Sequence, residues 1–232
     1  MYPRSHNLVL PAGTVIRCGG ACYTLGAVLG QGGSCLLYQA SKQGSALPFG
    51  IKECCPGGLV GRLVRTDGVL TGLDDGACHA LAQARDRMAR EAEVSQRVAA
   101  VSQRTIPVLE APEAAAVDTG RGEHRAPAGS FLVLRQVSQG GIFLPQLLES
   151  CIQSNREGQL RLSVIARLLE QTLRALELVH RVGYLHGDIQ PDNLFFADAR
   201  PEKGDVGFGC LLDFGSARPL LEGGATAPSP TG

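Results

Sequence analysis

Tyr184-Leu185-His186-Gly187-Asp188-Ile189-Gln190-Pro191-Asp192-Asn193-Leu194-Phe195, followed downstream by Leu212-Asp213-Phe214-Gly215, is the stretch that decides the reading of this 232-residue chain. Asp188 and Asn193 stand five residues apart, and Asp213 follows the apolar Cys210-Leu211-Leu212. Together they offer one proton acceptor and two oxygen ligands for a cation, the parts that transfer of a phosphoryl group requires. His186 reads as structural, bonding to nearby backbone. The upstream sequence then has to supply groups that hold phosphates.

Upstream, Cys22 to Leu29 reads as a strand running into Gly30-Gln31-Gly32-Gly33, Cys35 to Ala40 as a second and Phe49 to Glu53 as a third, an antiparallel meander preceded by a lead-in strand at Leu8 to Val15. Gly61 to Thr66 and Val69 to Thr71 flank Asp67-Gly68, a two-residue hairpin turn, and are expected to form an inserted hairpin. Residues 77–101 lack Gly and Pro and place Leu81, Met88, Val94, Val98 and Val101 near helical spacing. Ile106 to Glu110 and Ser130 to Val137 read as two further strands joined by a mobile surface loop at Ala111 to Gly129. Gln139-Gly140-Gly141 marks the expected domain boundary, with a short helix at Phe143 to Ser150 and a long one at Leu160 to His180 beyond it. The fold class is therefore α+β: a five-stranded antiparallel sheet with one long helix in residues 1–138, a mainly helical part in 139–218, and a disordered tail at 219–232.

Composition sets the bounds. With 44% hydrophobic residues and 22 basic against 22 acidic side chains, the chain can bury a sizeable core, and zero net charge gives no electrostatic reason to expect nucleic acid or an anionic membrane as the main partner. No uncharged apolar run reaches the roughly 18 residues of a membrane helix, and the expected location is cytoplasmic. The eight cysteines form neither a paired CxxC nor a Cys/His zinc spacing and are expected to be reduced.

The two quoted segments resemble the catalytic loop and DFG segment of protein kinases, and the order of the upstream parts is similar over residues 22–218. By that resemblance the chain has a bilobal fold and binds ATP and Mg2+. Gly30, Gly32 and Gly33 form the glycine-rich loop over the phosphates, with Cys35 in place of the third glycine. Lys52, with Gly50 two residues before it, bonds to the α and β phosphates, held by Glu91 or, alternatively, Glu93. Leu134 backs the adenine pocket, backbone groups of Arg135 and Val137 bond to adenine, and Leu29, Leu37 and Phe195 sandwich the ring. Asp188 handles the acceptor hydroxyl, while Asn193 and Asp213 hold magnesium.

Two departures from the pattern matter. Gly187 replaces the arginine that normally precedes the aspartate, so pairing with a phosphorylated activation loop, near Ser216 or Thr226, is not expected. Gln190 stands where Ser/Thr kinases carry a lysine at the γ phosphate, a loss on the order of 10² in rate by analogy with other single-donor losses. Pro191 follows the Ser/Thr pattern, implying a protein substrate with a Ser/Thr acceptor. The alternatives are a small-molecule kinase of the aminoglycoside or choline type, which shares the His-Gly-Asp loop, and a nucleotide-binding pseudokinase serving as a scaffold. Only 19 residues follow Asp213, and the chain is expected to be a fragment of a longer catalytic domain.

Overall fold

The computed structural model describes residues 8–102, 108–110, 115–135, 141–155 and 157–220. The chain divides into two compact units, one of Met1–Glu93 with Pro107–Gln136 and one of Val94–Ile106 with Val137–Gly232.

The first unit is built on strands β1 (Val15–Cys18), β2 (Ala21–Gln31), β3 (Cys35–Lys42) and β4 (Pro48–Cys54), the hairpin β5 (Leu63–Thr66) and β6 (Val69–Gly72), helix α1 (Asp75–Val101) up to Glu93, its remainder counting with the second unit, and strands β7 (Val108–Glu110), β8 (Ala115–Asp118), β9 (Glu123–Ala126) and β10 (Phe131–Arg135). Eight of these strands form one sheet in the order β7-β10-β4-β3-β2-β1-β8-β9, while β5 and β6 pair only with each other. Alternation along β4 sends Ile51 and Glu53 to one face and Lys52 to the other. Cross-strand register sets Leu37 opposite Lys52 and Tyr38 opposite Ile51. Leu25, Leu36, Tyr38, Ile51, Phe131 and Val133 are buried in one continuous core.

The sheet thus has eight strands where five were expected, and the added ones correct two sequence readings. Ala111 to Gly129 is not all loop, since β8 and β9 pair as a hairpin and β8 continues the sheet beside β1. Val117 is fully buried and Ala115 nearly so, an alternating inward face that the surrounding Gly and Pro obscured. The lead-in strand falls at Val15–Cys18, later than Leu8 to Val15, because Pro11 and the left-handed Gly13 (φ 88°) break the chain there. Leu8 and Leu10 serve as buried plugs. Gly19 and Gly20 (φ 54° and 76°) make the tight β1–β2 turn with the positive dihedrals that such a turn needs.

The second unit contains β11 (Ile142–Phe143), α2 (Leu144–Gln153), α3 (Leu162–Arg181), β12 (Tyr184–Leu185), β13 (Leu194–Ala197), β14 (Phe208–Leu211) and β15 (Arg218–Pro219). A three-stranded sheet, β11-β13-β14, carries Phe196 and Leu211 into a core with Leu147, Val164, Leu168, Val179 and Phe214. Helix α3 lies close over β14: a Cβ added at Gly209 would stand 3.0 Å from the Gln171 carbonyl oxygen. Along α3, Leu168 and Val179 are buried, whereas Leu162, Leu169 and Leu173 are exposed. Among the described residues no helix is long and apolar enough to cross a membrane. None of the eight cysteines is in a disulfide, and burial pushes the Cys54 and Cys55 thiols up to about 12.

Candidate active site

In the first unit the candidate site residues lie along four adjacent strands, β10, β4, β3 and β2, and one helix. The β2–β3 connection is closed by a Gly32 N–H bond to the Cys35 carbonyl (2.9 Å), and the carbonyls of Gly33 and Ser34 accept from Gly57 and Cys55, just beyond β4. Neither Gly30 nor Gly32 has a positive φ. A Cβ at Gly30 would meet nothing within 4 Å, and one at Gly32 only the Cys35 sulfur at 3.8 Å. Neither turn geometry nor packing among the described residues demands glycine at these two positions.

Lys52 sits in the middle of β4 with only 10% of its side chain exposed, and its ammonium donates to both oxygens of Glu91 on α1 at 2.6 and 2.7 Å. Glu91 is equally sheltered, its side chain 9% exposed, whereas Glu93 is exposed. One turn of α1 on which Ala92 and Met88 are buried brings Glu91 to the strand. Gly50, Leu37 and Leu134 adjoin on the face of β4 that carries Lys52: a Cβ at Gly50 would touch Leu37 Cδ1 at 3.5 Å and Leu134 Cβ at 3.7 Å. Leu29 is about half exposed on β2. Arg135 ends β10, with its backbone opposite Phe49, and Val137 lies outside the described residues.

In the second unit, the segment from β12 to β13 is tied to the segment after β14. His186, 1% exposed, is oriented by two backbone partners: Nε2 meets the Leu212 carbonyl at 3.0 Å, and Nδ1 accepts from the Asp188 N–H at 3.3 Å. Acceptance at Nδ1 requires the neutral ring with its proton on Nε2, and burial lowers the imidazole from its ordinary range, in keeping with that form. The ring also packs against Phe214, centroids 4.9 Å apart.

Asn193, buried by the Leu194–Ala197 strand start, donates from Nδ2 to both the Asp188 carbonyl (3.0 Å) and Asp188 Oδ2 (3.1 Å), so its amide oxygen is the atom left for a cation. Gln190 Nε2 donates to the same Asp188 Oδ2 at 3.0 Å. Asp213 has left-handed backbone (φ 60°, ψ 76°), unusual for a residue with a side chain, and accepts from the Gly215 N–H. Asn193 and Asp213 present oxygens alone, the donor set a hard cation such as Mg2+ takes. No group of three His, Cys, Asp or Glu is clustered for a metal among the described residues. Phe195 is 7% exposed, with Gly141 against its ring and Phe143 edge-on at 5.4 Å.

Gly187 has a structural reason that the sequence did not reveal. Its φ is +83°, and a Cβ there would stand 2.4 Å from the Ser216 carbonyl oxygen. The arginine of the resemblance therefore has no room beside Asp188 unless the Phe214–Ser216 turn moves. Gly187→Ala is expected to cost about 2–4 kcal/mol and to lower the thermal midpoint by roughly 5–10 °C, measurable by calorimetry. An unchanged midpoint would contradict this packing.

The fold these elements build is that of the protein kinases. A solved structure, the PpkA-294 apo form, superposes with a TM-score of 0.61 at 22% identity, covering 90% of this chain and 62% of that one. The Wee1-like protein kinase of Oryza sativa subsp. japonica is 29% identical over 68 residues, which is 29% of this chain and 13% of that protein. No protein-family model matches the sequence. The chain thus spans less than two thirds of each of these two relatives.

Proposed function

We propose that the chain carries the catalytic elements of an ATP- and magnesium-dependent phosphotransferase acting on Ser/Thr hydroxyls of proteins in the cytoplasm. The observation that carries this reading is the sheltered Lys52–Glu91 pair, 2.6 Å long, on the strand next to a glycine turn that no internal contact requires. Residues 1–138 act as the nucleotide-holding lobe and 139–218 as the catalytic lobe.

In this account Glu91 holds the Lys52 ammonium where the α and β phosphates bind, and Gly30, Gly32 and Gly33 let backbone amides approach the phosphates. Leu29, Leu37, Gly50 and Leu134 line the base on the first unit, and the backbone of Arg135 bonds to its edge. Asp213 and Asn193 hold Mg2+, which supplies charge neutralisation at the phosphates when bound. Asp188 orients the acceptor hydroxyl and accepts its proton, its carboxylate held by Asn193 and Gln190. Catalysis is then positioning plus electrostatic stabilisation.

Gln190 makes a quantitative test possible. Its neutral amide reaches Asp188 Oδ2, and a lysine there would place a cation beside both that carboxylate and the transferring phosphoryl group. Gln190→Lys is expected to raise Mg2+-dependent ATP turnover by roughly tenfold or more, read as phosphate transfer to Ser/Thr-containing protein substrate. Transfer to aminoglycosides in preference to protein would replace the protein-kinase reading with the small-molecule one. Magnesium-dependent nucleotide binding without turnover in either form would leave a scaffold.

A further inference from the structure

The hairpin β5–β6 lies outside the eight-stranded sheet and supplies none of the site residues described above, yet it carries a densely bonded arginine. Arg65 uses all of its N–H groups. Nε donates to the Leu8 carbonyl at 2.8 Å, one terminal nitrogen donates to Glu53 Oε1 at 2.8 Å and the Gly68 carbonyl at 2.7 Å, and the other donates to Glu53 Oε2 at 2.8 Å and again to Leu8. Glu53 is 2% exposed and is the residue next to Lys52 on β4. Its carboxylate also accepts from the Tyr38 hydroxyl at 2.8 Å, which in turn accepts from the Leu10 N–H at 3.1 Å. Burial raises the affinity of Glu53 for a proton, and Arg65 is the largest influence opposing it, followed by Tyr38 and the nearby Arg85.

The same hairpin also grips α1. Arg85 on the helix donates to the Leu70 carbonyl at 2.7 Å. A Cβ at Gly72 would stand 2.4 Å from the Cys78 nitrogen, so β6 ends directly against the first turn of the helix. Arg62 pairs with Asp74, whose Oδ1 caps that turn by accepting from the Ala77 N–H at 2.9 Å. The strand bearing Lys52 and the helix bearing Glu91 are thus each bonded to one hairpin, at points removed from the Lys52–Glu91 contact itself.

We propose that Arg65 is a positioning residue: by clamping Glu53 it fixes β4 against the hairpin that also holds α1, and so sets the Lys52 ammonium against Glu91. Two apolar side chains would join the hairpin to β4 without the desolvation cost of a buried ion pair. What the forked guanidinium adds is direction, because two parallel bonds to one carboxylate fix the strand in rotation as well as in distance. The inference rests on the reading of Lys52 as the phosphate-binding amine, but its geometric part can be measured without nucleotide.

The chain has three lysines, at 42, 52 and 203, which makes acylation of Lys52 by a small activated ester legible by mass spectrometry with exposed Lys203 as internal reference. Arg65→Met is expected to accelerate Lys52 acylation roughly tenfold relative to Lys203, well below the thermal midpoint. Arg65→Lys, which keeps the charge and loses the fork, should fall between that variant and the parent. Should Arg65→Met fail to fold, Arg65→Lys alone decides. Ile16→Ala, a buried β1 change that removes none of the Arg65 bonds, controls for a general loss of stability and should leave the ratio unmoved. In Mg2+-ATP turnover, Arg65→Met should lower kcat by more than it raises KM. An unchanged Lys52 ratio in the Arg65 variants, or an equal rise in Ile16→Ala, overturns the inference. Absence of ATP turnover in the parent chain, with the acylation pattern as expected, instead overturns the phosphotransferase reading and leaves the clamp standing.

Discussion

Asp188→Asn is expected to abolish most phosphate transfer, lowering kcat by roughly 10² to 10⁴ while leaving nucleotide affinity nearly unchanged. The substitution is nearly isosteric, and the Asn193 bond to the residue-188 carbonyl, 3.0 Å, does not involve the altered side chain. The His186 ring would still accept from the residue-188 N–H, so the loop keeps its shape. What is lost is a carboxylate that can take the proton of an acceptor hydroxyl. Single-turnover kinetics with labelled ATP, together with a direct binding titration, separates the two quantities. A fall in affinity equal to the fall in rate would mean that Asp188 holds the nucleotide or its metal and is not the proton acceptor.

Lys52→Met is the second large effect, and it acts on both stability and turnover. Removing the ammonium leaves Glu91, whose side chain is 9% exposed, without the partner 2.6 Å away. Breaking a buried pair from one side costs about 3–5 kcal/mol, so a lower thermal midpoint is expected. Turnover should fall by about 10² to 10³, as for loss of one charge-stabilising donor. Glu91→Gln separates these contributions, since it retains the ammonium and an acceptor oxygen and should lose less of each. Equal turnover in the parent and Lys52→Met would remove Lys52 from the chemistry, whatever the stability change.

How far the sequence discloses this molecule depends on whether a feature is local or relational. The strands β2, β3 and β4, the β5–β6 hairpin and the three helices follow from alternation, helical spacing and the Asp67-Gly68 turn, whose dihedrals are both positive (φ 51° and 81°). The β8–β9 hairpin was hidden because small residues make a weak alternating pattern: Ala115 and Ala126 are buried without being conspicuous, and Val117 alone carries the signal. In the site, the residue types and their order were readable. The reason for Gly187 was not, because it lies in the Ser216 carbonyl, a contact fixed only once the Phe214–Ser216 turn has folded against the loop.

Glu53 left a trace that could have been used. Residues 51 and 53 share a face of β4, and Ile51 is plainly a core residue, so Glu53 had to be a buried acid in need of a cation. The partner, Arg65, lies on the inserted hairpin. A charged residue at a core position of a strand is a pairing problem, and its solution is found among the arginines of the nearest added element.

The central claim of the proposal is that Lys52 acts on the phosphates of ATP and that Asp213 helps to hold the Mg2+ bound with it. The most direct measurement is labelling by an acyl-phosphate derivative of ATP, which transfers its acyl group to a lysine amine at the phosphates, followed by mapping over the three lysines of the chain. The account predicts Mg2+-dependent labelling at Lys52, suppressed by excess ATP and strongly reduced by Asp213→Asn. Labelling confined to Lys42 or Lys203, or labelling of Lys52 that is indifferent to both Mg2+ and Asp213→Asn, would contradict it.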